Sequence, residues 1–205
     1  LIERGKPGLI AVDREGRRFV DEAGDYHSFM RALFERCAGH EVEAWLICDH
    51  RFQRRFGLGH SKPRPLPIGA HLKSGYLKRD ATIEGLAALC GIDSSGLART
   101  VTAFNRHARE GRDPEFHRGE TAYDRMQGDA EHSGANPCVA PIEHGPFYAV
   151  KVLPGSFGTF AGLKTNGLAQ VLGRDDRPIA GLYAVGNNAA SSMGDVMTKI
   201  AAGKS

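Results

Sequence analysis

From Arg112 to Pro146 the sequence runs through Gly, Pro, Asp and His with no helical or strand period. This stretch constrains the fold most, because it separates two textures. Upstream, short apolar runs alternate with capped helical patterns; downstream, from Phe147, one strand pattern follows another. Connections this long are usually functional or cross between domains. A chain of 205 residues holds one domain with a full core, or one and a half, so a boundary is expected near residue 145.

The upstream texture reads in detail. Leu9–Val12 and Arg18–Val20 flank Asp13-Arg14-Glu15-Gly16, whose terminal Asp and Gly suit a tight turn, so a β-hairpin is expected. Asp25 can cap a helix over Tyr26–Cys37, with Phe29, Leu33, Phe34 and Cys37 on one face and Gly39 as its stop. Ala44–Cys48 reads as a buried strand and the basic run His50–Phe56 as a short helix with Phe52 and Phe56 turned inward. Pro63, Pro65 and Pro67 force an extended loop. Thr82 caps a helix through Cys90, and Asp93 or Ser94 caps a longer one through Arg109, ended by Gly111.

Downstream, strands are expected at Phe147–Leu153, Gly158–Lys164, Leu168–Leu172 and Ile179–Val185, with Asn166-Gly167 as a type I′ turn. The last of these runs into Gly181–Gly194, an apolar strand that breaks into Gly, Asn and Ser. Small residues after a strand let backbone N–H groups approach a ligand closely.

Composition narrows the function classes. Hydrophobic residues make up 41% and charged residues 25%, and no apolar run approaches the ~18 residues of a membrane span. The net charge of +3 is spread among 24 acidic residues, so no nucleic-acid partner is implied. The four cysteines lie far apart with no Cys-x-x-Cys, and no histidine pair has helical zinc spacing, so no metal site or disulfide framework is expected and reduced, cytoplasmic thiols are the default. The polar opening Leu1–Gly8 runs at once into a strand, as in a larger protein cut at a loop.

Several separated motifs occur in one order: Lys6-Pro7-Gly8 before Gly16-Arg17-Arg18-Phe19-Val20-Asp21-Glu22; Asp80-Ala81-Thr82-Ile83-Glu84 with Gly91-Ile92-Asp93; Phe104-Asn105; Pro146-Phe147-Tyr148-Ala149-Val150; and Gly181–Gly194. In this collinear set the chain closely resembles, over nearly its whole length, the FAD-dependent family of fumarate reductase flavoproteins and 3-ketosteroid dehydrogenases. The resemblance implies an α+β chain: a substrate-capping domain of mixed helices and short strands over 1–145, then β-rich strands over 146–205 returning to an incomplete FAD-binding α/β domain. It implies FAD as cofactor, with Gly158, Thr159 and Gly162 approaching the flavin from one strand, and Gly186, Asn187, Ser191, Ser192 and Gly194 lining it from the next.

The resemblance also points to Tyr26 as the catalytic residue. Fumarate reductases place an arginine near this position as proton donor, whereas ketosteroid dehydrogenases place a tyrosine that takes a substrate proton. A phenol of ordinary pKa ~10 is a poor base at neutral pH, and the family supplies its hydrogen-bonded partner from the other half. Dicarboxylate reduction also needs cationic or His donors, and the matching His position falls near Gly158. A neutral, steroid-like enone is therefore the expected small-molecule substrate. For Tyr26 the plain alternative is an aromatic packed at a helix start, and for Arg18 it is a solvated charge, against a role in orienting the loop.

Two segments of the family pattern are missing. No Gly-x-Gly-x-x-Gly turn opens a helix to cradle the pyrophosphate, and after Met193-Gly194 the sequence Asp195–Ser205 lacks the Tyr-Pro-Gly-x-Gly segment that polarises the substrate carbonyl. The chain is thus read as a carboxy-terminal fragment of a flavin-dependent dehydrogenase, inactive and without tightly held FAD on its own, that pairs with a flavin-binding half or self-associates. The competing readings are a non-catalytic module or subunit that completes a separate FAD-binding chain, and a fumarate-reductase-like dicarboxylate enzyme.

Overall fold

A computed structural model describes residues 2–155 and 161–190. The chain divides into two compact units, Leu1–Pro154 and Gly155–Ser205.

The first unit is built on a four-stranded antiparallel sheet of strands β1 (Leu9–Val12), β2 (Ala44–Cys48), β3 (Leu77–Asp80) and β4 (Phe147–Val152), in the order β1-β2-β4-β3. Successive side chains point to opposite faces, and here both faces are covered. Leu9, Ala11, Leu46, Cys48, Tyr148 and Val150 join one apolar cluster, while Ile10, Val12, Trp45, Ile47 and Ala149 join the other. A strand buried on both faces shows no polar alternation, which is why Ala44–Cys48 is apolar throughout and fully buried.

Helix α1 (Tyr26–Arg36) covers the first face through Phe29 and Leu33, together with Phe52 of α2 (His50–Phe56). Helices α4 (Ile83–Cys90) and α5 (Ser94–Ala108) cover the second through Leu86, Leu97, Val101 and Phe104. The caps at Asp25, Thr82 and Asp93 fall where the sequence places them, and Asp49 caps α2, for which no cap was expected. Asp25, Asp49, Thr82 and Asp93 each accept a backbone N–H in the first turn, a contact worth about 1 kcal/mol.

Three expectations for this unit need correction. The turn at Asp13–Gly16 forms, closed by Gly16 N–H on the Asp13 carbonyl at 3.1 Å, but Arg18–Val20 is no second strand. Only one bridge, Val12 to Arg18, survives, because Arg18 turns inward to buried carboxylates and draws the backbone off the ladder; β1 pairs with β2 instead. The proline loop is followed by a short helix, α3 (Gly69–Lys73), and by β3, neither of which was expected; β3 is a polar four-residue strand, Leu-Lys-Arg-Asp. The stretch 112–146 also contains α6 (Ala122–Gln127), whose capping box joins Thr121 and Asp124. Strand β4 belongs to this first unit, although the change of texture at 145 groups it with the residues that follow.

The second unit carries a two-stranded antiparallel sheet, β5 (Gln170–Leu172) with β6 (Pro178–Tyr183), and a 3-10 turn at Gly186–Asn188. Of the expected strand 158–164, residues 158–160 lie outside the described residues, and Leu163 makes one parallel bridge to Ala189. The Asn166-Gly167 turn is not type I′, which needs positive φ at both central residues. Asn166 instead opens the turn, accepting the Ala169 N–H on its carbonyl and the Leu168 and Gln170 N–H groups on its side chain. The residue with positive φ is Ala169, at 62°. An Asn that satisfies backbone donors two and four residues on gains more than one occupying the left-handed position.

Candidate active site

Tyr26 is the first residue of α1 and 41% of it is exposed. Its backbone is held from both sides. Asp25, 3% exposed, caps the helix through Oδ1 on the Ser28 N–H at 2.9 Å, and Phe29 one turn on is buried against Phe19 and under the Arg4 guanidinium.

The loop that leads into α1 carries a buried ion network. Arg18 donates through Nε and Nη2 to the two carboxylate oxygens of Glu22 at 2.9 and 2.6 Å, and through Nη1 and Nη2 to Asp113, both at 2.7 Å. Its guanidinium also lies between the Phe104 and Phe116 rings. Arg18 thus orients the loop and is no solvated charge. Glu22 uses its Oε1 again to accept the Ala11 N–H, locking the loop onto β1. Burial alone would raise the Glu22 carboxyl, but the Arg18 and Arg118 guanidiniums outweigh it and hold it below its ordinary value. For Asp113 burial opposes and Arg18 wins in the same way.

Sequence reasoning missed Arg118. It is fully buried, donating to the Leu9, Arg4 and Lys6 carbonyls at 2.6, 2.7 and 2.7 Å and lying 3.3 Å from Glu22. One side chain therefore pins the aperiodic stretch to the start of the chain. A lone Arg in an aperiodic loop carries no pattern that could have signalled this.

Asp21 is the second omission. Burial, with Asp124 and Glu22 nearby, pushes its carboxyl up to about 7. An acid raised in the folded state holds a proton that the unfolded chain releases, so its contribution favours folding most below the ordinary Asp value of ~3.9 and falls away as pH rises to 7. Asp21→Asn is therefore expected to be more stable than the parent at pH 8, by on the order of 2–4 kcal/mol, and no more stable near pH 4. Chemical unfolding of both proteins across that range measures the difference.

In the second unit, Gly186 has φ of 57°, and a Cβ there would meet nothing within 4 Å, so the Gly186–Asn188 turn presents bare, exposed backbone. Such a surface suits close approach by a flat ring. Gly162 is small for a different reason: a Cβ would collide with the backbone of Ala189 and Ala190, where Leu163 donates to the Asn188 carbonyl and accepts the Ala190 N–H. Asn187 lies in the same turn. Gly158, Thr159, Ser191, Ser192 and Gly194 lie outside the described residues. Among the described residues, exposed backbone at Gly186–Asn188 is what a flat ring could approach, and no glycine-rich helix start of the kind that holds a pyrophosphate is formed. Among the described residues no group of three or more His, Cys, Asp or Glu could hold a metal ion, and no helix is long and apolar enough to cross a membrane.

Comparison with known proteins shows the family. The FAD binding domain family model, FAD_binding_2, matches residues 1–199. The chain is 44% identical over 191 residues to a 4-oxocyclohex-2-ene-1-carboxylate 5-dehydrogenase of Sinomonas cyclohexanicum, covering 93% of this chain and 32% of that protein. It is 37% identical to a 3-oxosteroid 1-dehydrogenase of Mycolicibacterium smegmatis, over 95% of this chain and 35% of that one. The crystal structure of 3-ketosteroid delta1-dehydrogenase from Sterolibacterium denitrificans, in complex with 1,4-androstadiene-3,17-dione, superposes with a TM-score of 0.85 at 39% identity, over 99% of this chain and 40% of that one. The chain spans about a third of the length of the curated relatives it matches.

Proposed function

Because the chain belongs to the FAD binding domain family, whose cofactor is FAD, we propose that it forms the substrate-capping and carboxy-terminal part of a flavin-dependent dehydrogenase of cyclic ketones. Residues 1–145 are the cap in this reading, β4 is the strand by which the chain leaves it, and the segment to 205 lines the flavin through Gly158, Thr159, Gly162, Gly186, Asn187, Ser191, Ser192 and Gly194. Tyr26 is the residue that takes the substrate proton.

The observation that carries the proposal is the setting of Tyr26. An exposed phenol stands on the first residue of a helix whose start is capped by Asp25. General bases act only from a held position within hydrogen-bond reach of the proton they remove. FAD, when bound, supplies the hydride acceptor for such a dehydrogenation. Tyr26 removes the proton from the carbon beside the carbonyl, and since a neutral phenol is a weak base, a hydrogen-bond partner from the part of the enzyme that only the longer relatives span lowers the cost. The exposed apolar residues Ile179 and Leu182 of β6, with Val185 beyond it, suit burial against that same region.

The test is direct. Purified alone, the chain is expected to carry no stoichiometric FAD and to show no turnover of cyclic ketones with an artificial electron acceptor. Combined with the pyrophosphate-binding region of a relative, it should gain both. One tightly bound flavin per chain alone would overturn the split reading, and pairing without turnover would favour a non-catalytic module.

A further inference from the structure

Where the loop leading to Tyr26 meets the stretch 112–146, Asp21 is half-buried and Glu22, Asp113 and Asp124 are buried. The cations there are shared unequally. Arg18 binds Glu22 and Asp113, Arg118 reaches Glu22 at 3.3 Å and gives its other hydrogen bonds to carbonyls, and Arg125 donates to the Gly119 carbonyl at 3.3 Å. Among the described residues, Asp21 and Asp124 make no ion pair, and each keeps one carboxylate oxygen without a hydrogen bond. Asp21 uses Oδ1 on the Ala23 N–H at 2.8 Å, and Asp124 uses Oδ2 on the Gly119 and Thr121 N–H groups, both at 3.2 Å.

The groups facing Asp21 are Asp124, Glu22 and Arg118, and Arg118 is already engaged by Glu22. Around Asp124 the further groups are Arg125, bound to a carbonyl, and Cys138, whose thiol burial pushes up to about 11, so that it adds no charge at neutral pH. Burial, then Asp124, raises the Asp21 carboxyl to about 7. The two carboxyls sit on supports of unequal strength. Glu22 ties the Asp21 side to β1, Arg18 and Arg118. Asp124 lies on α6, six residues long with Met126 70% exposed, which is tied down by Lys6 Nζ on the Gly128 carbonyl at 2.7 Å and the Cys138 thiol on the Asp124 carbonyl at 3.0 Å. A helix this short has little stability of its own, so repulsion between the two carboxylates is relieved on the α6 side.

We propose that α6 is a proton-dependent latch: a proton on Asp21 lets the helix close on the loop that precedes Tyr26, and loss of that proton lets it lift. With the proton in place Asp21 faces Asp124 as a neutral group; without it, two like charges that no cation offsets lie together away from water. The closed form binds the proton more tightly than the open one. Closure is therefore favoured most below the ordinary Asp value of ~3.9, weakens by about tenfold per pH unit above it, and levels off once Asp21 is ionised in both forms, past pH 7. The latch stands apart from the role proposed for Tyr26.

Amide hydrogen exchange of the isotopically labelled full chain, corrected for the intrinsic rate at each pH, tests this in the parent and in Asp21→Asn. The reporters are the Arg125 and Gly128 amides, bonded to the Thr121 and Asp124 carbonyls, with the Leu46 and Ile47 amides of β2 as the reference for global unfolding. In the parent, protection of the α6 amides is expected to fall by at least roughly tenfold from pH 5 to pH 7 and to hold level to pH 8, while the β2 amides stay better protected throughout. In Asp21→Asn, α6 is expected to be as protected at pH 8 as in the parent at pH 5. No pH dependence in the parent, the same dependence in Asp21→Asn, or an equal loss at α6 and β2, which would make Asp21 a contributor to global stability alone, would each overturn the proposal.

Discussion

Arg118→Ala is expected to destabilise the first unit by about 3–5 kcal/mol, the usual cost of removing one partner from a buried charged network, and to lower its melting temperature by roughly 6–20 °C. The size follows from what the side chain does. It satisfies the Arg4, Lys6 and Leu9 carbonyls, and it is one of the two cations on the fully buried Glu22. Without it three carbonyls lose a charged donor, at about 1–3 kcal/mol for each one left buried and unsatisfied, and Glu22 keeps only Arg18. Lysine should not rescue, because a single ammonium cannot reach both ends of that set. Arg106→Ala, on the exposed face of α5, should cost within about 0.5 kcal/mol. Thermal and urea unfolding of the three variants measure this, and an Arg118→Ala protein as stable as the Arg106→Ala control would show that the stretch 112–146 is anchored by other contacts.

Tyr26→Phe is expected to lower turnover of the recombined enzyme by roughly 10²–10⁴, the contribution of a positioned general base, with little change in KM. The substitution removes one hydroxyl and leaves the ring, the Asp25 cap and the buried Phe29 in place. At a surface position with 41% exposure the stability effect should be within about 0.5 kcal/mol. Turnover and unfolding therefore separate a catalytic phenol from an aromatic that merely packs at a helix start: the first predicts lost turnover at unchanged stability, the second the reverse. A parallel rise in KM would instead assign Tyr26 to substrate binding.

Legibility of the fold in the sequence followed how local the causes were. Caps and short apolar runs are local, so α1, α4, α5, β1 and β2 could be placed to within a residue or so from Asp25, Thr82, Asp93 and the runs at Leu9 and Ala44, and α2 from the spacing of Phe52 and Phe56. The strand expected at Arg18–Val20 failed because its outcome depends on Asp113, far along the chain. Strand β3 was invisible because a polar four-residue segment becomes a strand only by pairing with β4. Of the proposed site, Tyr26 rests on the resemblance, since nothing in its local sequence distinguishes a base from a packed aromatic. Arg118 and Asp21 were not legible, because burial and charge proximity are properties of the folded chain.

The reductive half-reaction tests the central claim most directly. A cyclic ketone is mixed, without oxygen or added acceptor, with the chain recombined with FAD and the pyrophosphate-binding region of a relative, and flavin absorbance is followed through one turnover. Bleaching of the flavin together with formation of a ring product two hydrogens poorer is the predicted result; a flavin that stays oxidised while the ketone demonstrably binds would contradict it.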